Sequence, residues 1–373
     1  MYKKYLENEQ LNFQVNRFLE DYYDDKNVQQ SVVKTCKEIS NLEDWYEQWF
    51  SLGNTENQKQ NYGLASLYYQ LSEFYLPESD HRKKEAYGRF KSTFYKSISE
   101  VPIEHTTVPY NGGQLPVAII NNDDNNPWLV FHGGFDSYLE ELIRLSIVYL
   151  SDLKEYNILM FEGPGQGQPS KDGLYLTHEW EKPVSAILDY FDLDEVALVG
   201  MSLGGYLALR AAAKEKRIKK VIAFDTFYSM DDAFFMNAPK ELEKLSNNLE
   251  DKKSRVLLDQ TINSIAEKNI DLQFKINKAK EILGKDSPSE IISEIKKYSL
   301  EGIENLITQD TLLLAGTEDM YVPTYRTPFI QNKLINVEKV ETAIFNKKSG
   351  GQYHCQVGNK KLAFKKILDF LSE

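Results

Sequence analysis

The sequence Gly200-Met201-Ser202-Leu203-Gly204 places a serine between two glycines, at a point where the predicted secondary structure changes. It follows the apolar run 196–199, which predicts a buried strand, and precedes residues 206–213, which predict a helix. A serine on such a sharp strand-to-helix turn projects its hydroxyl clear of the sheet, and only small neighbours fit beside it. We therefore predict that Ser202 is a nucleophile.

A serine hydroxyl is a weak nucleophile unless a base removes its proton, and the chain has 5 histidines that are candidates for this base. In enzymes with a nucleophilic serine on such a turn, the catalytic residues follow one another along the chain in the order serine, acid, histidine. The histidine comes after the last strand, and His354 comes just after the last predicted strand. The others lie in a charged helical stretch, a hairpin, a glycine motif and a loop: His81, His105, His132 and His178. We predict that His354 is the base, with a pKa near neutral.

Two carboxylates follow the predicted strand 311–315, in the segment Gly316-Thr317-Glu318-Asp319-Met320. In the same chain order, the acid follows the penultimate strand and holds the imidazole in the tautomer that can accept the serine proton. We predict Asp319 for this role because aspartate three residues after a strand-end glycine is the usual arrangement. Glu318 is the alternative.

The motif His132-Gly133-Gly134-Phe135 follows the predicted strand 128–131, where a loop that stabilises a developing oxyanion belongs. In such a motif the histidine shapes the loop. Backbone N–H groups of Leu203 and of either Phe135 or Gly134 are the predicted donors, and each donor of this kind is worth about 3 kcal/mol of barrier.

The acidic side chains of Asp136 and Glu140 follow this motif, and two roles are open for them. In the first, they bind a substrate group or assist proton transfer. In the second, which we favour, they belong to the next helix, with Asp136 or Ser137 as its N-cap and acids in its first turn.

A second glycine-rich segment, residues 161–167, resembles a phosphate loop but lacks the Lys-Ser/Thr ending of one. It predicts a tight structural turn beside the active site rather than a nucleotide site. The chain shows no cluster of metal ligands, and we expect neither a metal nor an organic cofactor.

The predicted secondary structure that must position these residues changes along the chain, from helices alone to strands that alternate with helices. Residues 1–99 predict helices, with aromatic residues three and four apart that we expect to pack together. Runs 103–110 and 115–121 flank a hairpin signal. Further strands are predicted at residues 128–131, 158–161, 196–199, 221–224, 311–315 and 342–345. Strands that alternate with helices predict an α/β fold, an eight-stranded, mostly parallel sheet with helices on both faces.

The predicted domains are a helical N-terminal cap region, residues 1–99, and a catalytic domain, residues 100–373. Residues 227–306 contain no convincing strand, and an insertion of this length between two sheet strands predicts a helical lid. The cap region and the lid are both expected to roof the active site.

The net charge of −12 argues against nucleic acid or an anionic membrane as a partner, because both call for clustered positive charge. The chain has 2 cysteines, which do not imply a disulfide framework and fit a reducing compartment. Its beginning lacks the apolar run of a signal peptide. No stretch predicts a membrane span. We expect a cytoplasmic protein that binds a small-molecule or short acyl-peptide substrate, and a homodimer is left open.

Together the motifs at residues 132–137, 161–167, 200–205, 316–319 and 353–356 resemble one branch of the α/β-hydrolases. That branch includes 2,6-dihydroxypseudooxynicotine hydrolase, fungal polyketide-shortening hydrolases, fermentation–respiration-switch-like proteins and proteins labelled acylaminoacyl peptidases. The resemblance implies a triad of Ser202, Asp319 and His354. It also implies that Asp136 or Glu140 contributes to C–C bond cleavage.

Three functional hypotheses follow. The first is a serine hydrolase that cleaves an ester, an amide or a C–C bond next to a carbonyl in a small acyl compound. The second is the release of N-acyl amino acids from short peptides. The third is a binding or regulatory protein with a hydrolase fold and no turnover, which an intact set of catalytic residues argues against.

Overall fold

The structure is a computed structural model that describes residues 2–236, 238 and 240–373. It forms two compact units, Met1–Pro102 with Val357–Asn359, and Ile103–Gln356 with Lys360–Glu373. The first unit is helical and the second is built on a β-sheet. Among the described residues, no helix has both the length and the apolar composition needed to cross a membrane.

The first unit contains, within its described residues, a short 3-10 helix and a series of α-helices. The α-helices are α1 (Glu9–Leu19), α2 (Lys26–Lys37), α3 (Leu42–Gln58), α4 (Tyr62–Glu73) and α5 (His81–Ser97). Several begin directly after a side chain that accepts a hydrogen bond from the first turn, which stabilises the helix start. These capping residues are Asn8, Asp25, Asn41 and Asp80.

The aromatic residues of the first unit pack against one another, as the sequence predicts. Trp45 and Trp49 are both fully buried, with ring centroids 5.7 Å apart in an edge-to-face arrangement. The Trp49 ring also stacks on Tyr68 at a centroid distance of 5.7 Å. Large buried rings of this kind supply much of the apolar surface that stabilises a small helical unit.

The sheet of the second unit has eight strands in the order β1-β2-β4-β3-β5-β6-β7-β8. They are β1 (Glu104–Tyr110), β2 (Gly113–Ile120), β3 (Trp128–His132), β4 (Asn157–Phe161), β5 (Val196–Met201), β6 (Ile218–Phe224), β7 (Asp310–Gly316) and β8 (Val340–Phe345). β2 pairs antiparallel with β1 and β4, and the remaining pairs are parallel. Every residue of β4 and β5 is buried, as expected for strands covered on both faces.

All eight predicted strands are confirmed, and the largest differences lie at their beginnings. The prediction for β6 began at residue 221, but the strand begins at Ile218 and includes Lys219 and Lys220. β8 likewise begins before the predicted run and includes the polar Glu341. An apolar-run criterion misses such positions because a strand continues through polar residues wherever they reach solvent.

The helices of the second unit lie between the strands and after the last one. They are α6 (Leu139–Tyr149), α7 (Gly167–Lys171), α8 (Glu181–Tyr190), α9 (Gly204–Lys214), α10 (Asp231–Phe235), α11 (Lys240–Ser246), α12 (Lys252–Ala266), α13 (Ile270–Leu283), α14 (Pro288–Ile295), α15 (Arg326–Lys333) and α16 (Lys360–Ser372). Helices α10 to α14 form the insertion between β6 and β7, which we call the lid. Their buried residues, such as Leu258, Ile276 and Ile292, join the core that lies against the sheet.

The two ends of the lid are hydrogen bonded to each other. Ser229 and Ser299 form an antiparallel bridge. On its two sides, Met230 N donates to Tyr298 O at 2.9 Å, and Leu300 N donates to Tyr228 O at 3.0 Å. The chain therefore leaves the sheet and returns to it at one point.

Candidate active site

Ser202 lies on the turn between β5 and α9 with a φ of +62°, a left-handed conformation that is rare for residues other than glycine. The turn requires close approach of its two arms, since a Cβ on Gly200 would lie 1.9 Å from the carbonyl oxygen of Gly204. The Ser202 N–H donates to Phe224 O at the end of β6. These constraints hold the serine at the carboxyl edge of the sheet.

The His354 imidazole lies against the serine side chain. Its Nε2 is 2.8 Å from Ser202 Oγ, and the histidine is buried. His354 begins the 3-10 turn His354–Gln356 after β8, in which Cys355 and Gln356 have φ values of +49° and +50°. The structure thus brings together the serine and the histidine that the sequence selects.

Asp319 contacts the other ring nitrogen of the histidine. Its Oδ2 is 2.7 Å from His354 Nδ1, and its Oδ1 accepts hydrogen bonds from Tyr321 N at 2.7 Å and Val322 N at 3.0 Å. Asp319 is buried, whereas the alternative acid, Glu318, is exposed. A carboxylate at Nδ1 keeps the proton on that nitrogen and leaves Nε2 free to accept the serine proton.

Asp225, which directly follows β6, also contacts this imidazole, and sequence reasoning missed it. Its Oδ2 lies 2.9 Å from His354 Nδ1, and the residue is fully buried. Cys355 N donates to Oδ2 at 2.6 Å, and Gln356 Nε2 donates to Oδ1 at 2.7 Å. The available signal was an acid at the carboxyl end of a parallel strand, next to the strand that carries Asp319.

The two carboxylates and burial set the protonation of this cluster. Burial acts to lower the pKa of His354, but Asp319, Cys355 and Asp225 outweigh it and raise this pKa well above its ordinary value. Burial acts to raise the pKa of Asp225, but His354, Gln356 and the Cys355 N–H outweigh it and lower this pKa. Burial, together with the charge of Asp225, raises the pKa of Asp319. Asp225 and Asp319 thus both act on the protonation of His354.

The predicted oxyanion loop lies directly against the serine turn. A Cβ on Gly134 would be 2.7 Å from Leu203 N and 2.8 Å from Gly204 N, so only glycine leaves room in front of these N–H groups. Gly134 N itself donates to Ser137 Oγ at 3.2 Å. Within residues 2–236, 238 and 240–373, the N–H groups of Phe135 and Leu203 have no hydrogen-bond partner.

The glycine-rich segment after β4 supports this loop, in agreement with the predicted structural turn. Gln166 Nε2 donates to Gly133 O at 2.8 Å and to Gly134 O at 3.0 Å. Gln166 Oε1 accepts from Gly163 N at 2.9 Å. Because a peptide group is planar, a donor held on Gly134 O also fixes the direction of the Phe135 N–H.

His132 is held inside the protein by one hydrogen bond at each ring nitrogen. Its Nδ1 donates to Gly133 O at 2.9 Å, and its Nε2 accepts from Trp180 Nε1 at 3.2 Å. Burial lowers the pKa of His132 to about 4, so the ring stays neutral. These contacts are those of a residue that shapes the loop.

The predicted N-cap of α6 is wrong. The residue before the helix is Tyr138, which makes no side-chain cap, and Leu139 N donates to Glu162 Oε1 at 2.7 Å. The physical reason is that Ser137 Oγ already accepts from Gly134, and a carboxylate from another loop reaches the helix start.

The structure does place Glu140 in the first turn of α6, buried, and Asp136 in the loop before it, partly buried. The hydrogen bonds that join Ser202, His354 and Asp319 run through neither side chain.

Aromatic rings surround the imidazole. Tyr321 and Phe227 meet the His354 ring edge to face at centroid distances of 4.9 Å and 5.9 Å. The Phe135 ring, on the oxyanion loop, packs against Phe234 of the lid at 6.4 Å. A substrate carbonyl at Ser202 would therefore meet largely apolar surroundings.

The side chains of Asp225, His354 and Cys355 are close enough to act as metal ligands, with their ligand atoms within 4.8 Å of one another. A metal ion there would need a ring nitrogen of His354. Nε2 contacts Ser202, however, and Nδ1 contacts two carboxylates. The donor set therefore fits a hydrogen-bonded imidazole better than a metal centre.

Comparison with known proteins decides the family. The sequence pattern of the alpha/beta hydrolase fold matches residues 126–343. The chain belongs to the alpha/beta hydrolase fold family. The predicted fold, an eight-stranded and mostly parallel sheet with a helical N-terminal region, is thereby confirmed.

Several proteins named as hydrolases match most of the chain. Hydrolase ORFZ of Pyricularia oryzae is 30% identical over 346 residues, which cover 84% of this chain and 79% of that protein. Hydrolase LUC6 of a Fusarium species is 28% identical over 379 residues, covering 89% and 88%. The solved structure of 2,6-dihydroxy-pseudo-oxynicotine hydrolase superposes with a TM-score of 0.68 at 21% identity, covering 95% and 94%. The resemblance to hydrolases of this branch is confirmed.

Proposed function

We propose that the chain is a serine hydrolase that acts on a small acyl compound. The observation that carries the proposal is the continuous hydrogen-bonded path from Ser202 Oγ through both nitrogens of His354 to Asp319, with distances of 2.8 Å and 2.7 Å. Such a path activates a hydroxyl that is otherwise a weak nucleophile. The family membership of the chain supports the same class of reaction.

In the first half-reaction, Ser202 Oγ attacks the substrate carbonyl carbon while His354 Nε2 takes the hydroxyl proton. Asp319 stabilises the imidazolium that forms. The carbonyl oxygen becomes an oxyanion and accepts hydrogen bonds from the N–H groups of Phe135 and Leu203, each worth about 3 kcal/mol. The imidazolium then protonates the leaving group, and the acyl group remains on Ser202.

In the second half-reaction, a water molecule attacks the acyl-enzyme. His354 Nε2 takes the water proton, and the same two N–H groups stabilise the second tetrahedral intermediate. When that intermediate collapses, the proton returns to Ser202 and the acid product leaves. Every proton transfer in both half-reactions goes through His354 Nε2. The carboxylate at Nδ1 keeps the imidazole in the tautomer that these transfers require.

The helices of the lid give a reason to propose a largely apolar acyl group. A cavity of about 130 Å³ lies among the lid helices, and Phe234 of its wall also packs against Phe135. Its apolar wall also includes Phe235, Leu242, Ile262, Ile265, Leu272, Ile276 and Ile292. Pockets of this kind bind apolar groups, and a few polar side chains at their edge fix the orientation of the ligand.

The experiment compares initial rates on a p-nitrophenyl ester, an acetyl-alanyl anilide and an aryl β-diketone, with Ser202→Ala as the blank. Turnover that Ser202→Ala abolishes, without a change in thermal unfolding, is the expected result. Cleavage of the diketone would identify C–C bond hydrolysis and direct attention to Asp136 and Glu140. Cleavage of the anilide would identify the release of N-acyl amino acids.

A negative result is also informative. If no substrate is turned over and a fluorophosphonate fails to label Ser202, the serine is not activated. The proposal is then wrong, and a binding or regulatory protein with a hydrolase fold is the remaining hypothesis.

A further inference from the structure

We propose that Asp225 is a second positioning carboxylate for His354, so that two acids rather than one hold the imidazole in its working orientation. The proposal deepens the function proposed above and depends on His354 acting as the base there. Each carboxylate lies within hydrogen-bond distance of the same atom, His354 Nδ1, at 2.9 Å for Asp225 and 2.7 Å for Asp319.

The sheet itself places the two acids together. Asp225 follows β6 and Asp319 follows β7, and these strands are parallel neighbours in which Phe224 pairs with Leu314. The carboxyl ends of adjacent parallel strands meet at one edge of the sheet. Asp225 directly follows β6 and Asp319 lies three residues after the end of β7, so both side chains start from this edge. Thr226 Oγ1 donates to Leu314 O at 2.8 Å and ties the segment after β6 to β7.

The turn that carries the histidine is built around Asp225. Cys355 and Gln356 both have positive φ values, and in this conformation Cys355 N and Gln356 Nε2 donate to the two oxygens of Asp225. Residues with side chains rarely adopt this backbone conformation unless the surroundings impose it. Asp225 thus holds His354 directly, at Nδ1. It also holds the histidine indirectly, through its hydrogen bonds with Cys355 and Gln356.

Asp225 and Asp319 are charged groups that contact the imidazole directly. Ser202, Cys355, Phe227 and Tyr321 also contact the imidazole or adjoin it, and Lys275 Nζ lies 4.8 Å from the centre of the Tyr321 ring. Two carboxylates on one Nδ1 have two consequences. Either acid alone can keep the proton on Nδ1, and their combined charge stabilises the imidazolium more than one acid would.

The substitution Asp225→Asn removes the negative charge of this side chain while it preserves the hydrogen bonds that shape the turn at His354. Gln356 Oε1 is buried and lacks a hydrogen-bond partner within the part of the chain that the structure describes. Rotation of the Gln356 amide would present this oxygen to the new Asn Nδ2, while the Asn oxygen still accepts from Cys355 N. The turn is preserved and one negative charge is lost. A charge at this distance shifts a pKa by about 1–3 pH units, so the midpoint of the kcat/KM profile should fall by at least about one unit.

Alanine variants test whether the two acids replace each other. Loss of the acid from a triad with a single acid lowers kcat by about 10⁴-fold. We expect Asp319→Ala to lose less than about 100-fold, because Asp225 still orients the ring, and the Asp225→Ala/Asp319→Ala double variant to lose about 10⁴-fold. If Asp319→Ala alone falls as far as the double variant, Asp225 does not orient the histidine and the proposal is wrong.

A readout that needs no turnover separates this proposal from the proposed function. The ¹⁵N NMR titration of the His354 imidazole, assigned with His354→Gln, should show a lower pKa in Asp225→Asn than in the wild type. If it does so in a protein that cleaves none of the substrates, the positioning role stands and the proposed function fails. If Asp225→Asn lowers the Tm and leaves the His354 pKa unchanged, Asp225 only stabilises the turn, and the proposal is overturned.

Discussion

The side-chain nitrogen of Gln166 lies 2.8 Å from the carbonyl oxygen of Gly133 and also reaches the next carbonyl along the chain. A residue of the loop after β4 thereby fixes the peptide that carries the Phe135 N–H. The geometry of the proposed oxyanion site therefore depends on a side chain that touches no substrate atom in the proposed mechanism.

Substitution of Gln166 by methionine should lower kcat by about tenfold, less than the 10²–10³-fold loss that follows removal of an oxyanion donor itself. Methionine keeps the length of the side chain but cannot hold the two carbonyls. Steady-state kinetics on a p-nitrophenyl ester measure the change. Gln168→Met is the matched control, since the Gln168 side chain bonds Asp172 instead. Equal rates for the two variants would contradict the supporting role of Gln166.

Gly134→Ala should lower kcat by about 100-fold or more, because the new methyl group would occupy the space in front of the Leu203 N–H, where the proposed mechanism places the oxyanion. The comparison variant is Gly88→Ala in α5, where a Cβ meets nothing within 4 Å and activity should not change. Circular dichroism establishes that both variants are folded. A Gly134→Ala enzyme of wild-type activity would exclude this site for the oxyanion.

The pH dependence follows from the protonation of His354. The base must be neutral to accept a proton, and the surrounding carboxylates raise its pKa well above the ordinary value of about 6.5. We expect kcat/KM to rise with pH and to continue rising above pH 7, which changes the near-neutral pKa expected from sequence. Rates between pH 5 and 10, corrected with Ser202→Ala, measure this. A plateau reached below pH 7 would show that the imidazole is neutral in the resting enzyme.

Filling the lid cavity should discriminate between long and short substrates. Ile265→Trp adds a large side chain to a cavity of about 130 Å³, and should reduce kcat/KM for p-nitrophenyl octanoate more than for the acetate. Val256→Trp, at an exposed position of the same helix, is the control. A uniform effect of Ile265→Trp on both esters would mean that the acyl chain does not enter this cavity.

Much of the fold could be predicted because its signals are local. Each buried strand is an apolar run, and Ser202 stands out because glycines flank it on a strand-to-helix turn. The order of the strands along the chain then places His354 and Asp319 at the same edge of the sheet. Local pattern and chain order together select these residues without any coordinate.

What could not be predicted depends on contacts between residues far apart in sequence. Asp225 looks like any polar residue at a strand end until the turn at His354 wraps around it. The start of α6 is bonded to Glu162, which belongs to a different loop. The direction of the Phe135 N–H similarly depends on Gln166. A single sequence read in order contains no record of these distances.

The bridge between Ser229 and Ser299 joins the two ends of the lid, so that the lid forms a closed insertion within the second unit. Because the lid begins and ends at one point, its length need not alter the spacing of β6 and β7, whose ends carry Asp225 and Asp319. Lengthening a segment whose two ends are fixed costs little conformational entropy. The helices between Ser229 and Ser299 can therefore be exchanged while Asp225 and Asp319 keep their places at the sheet edge. Under the proposed function, such an exchange would change the acyl group that the enzyme accepts.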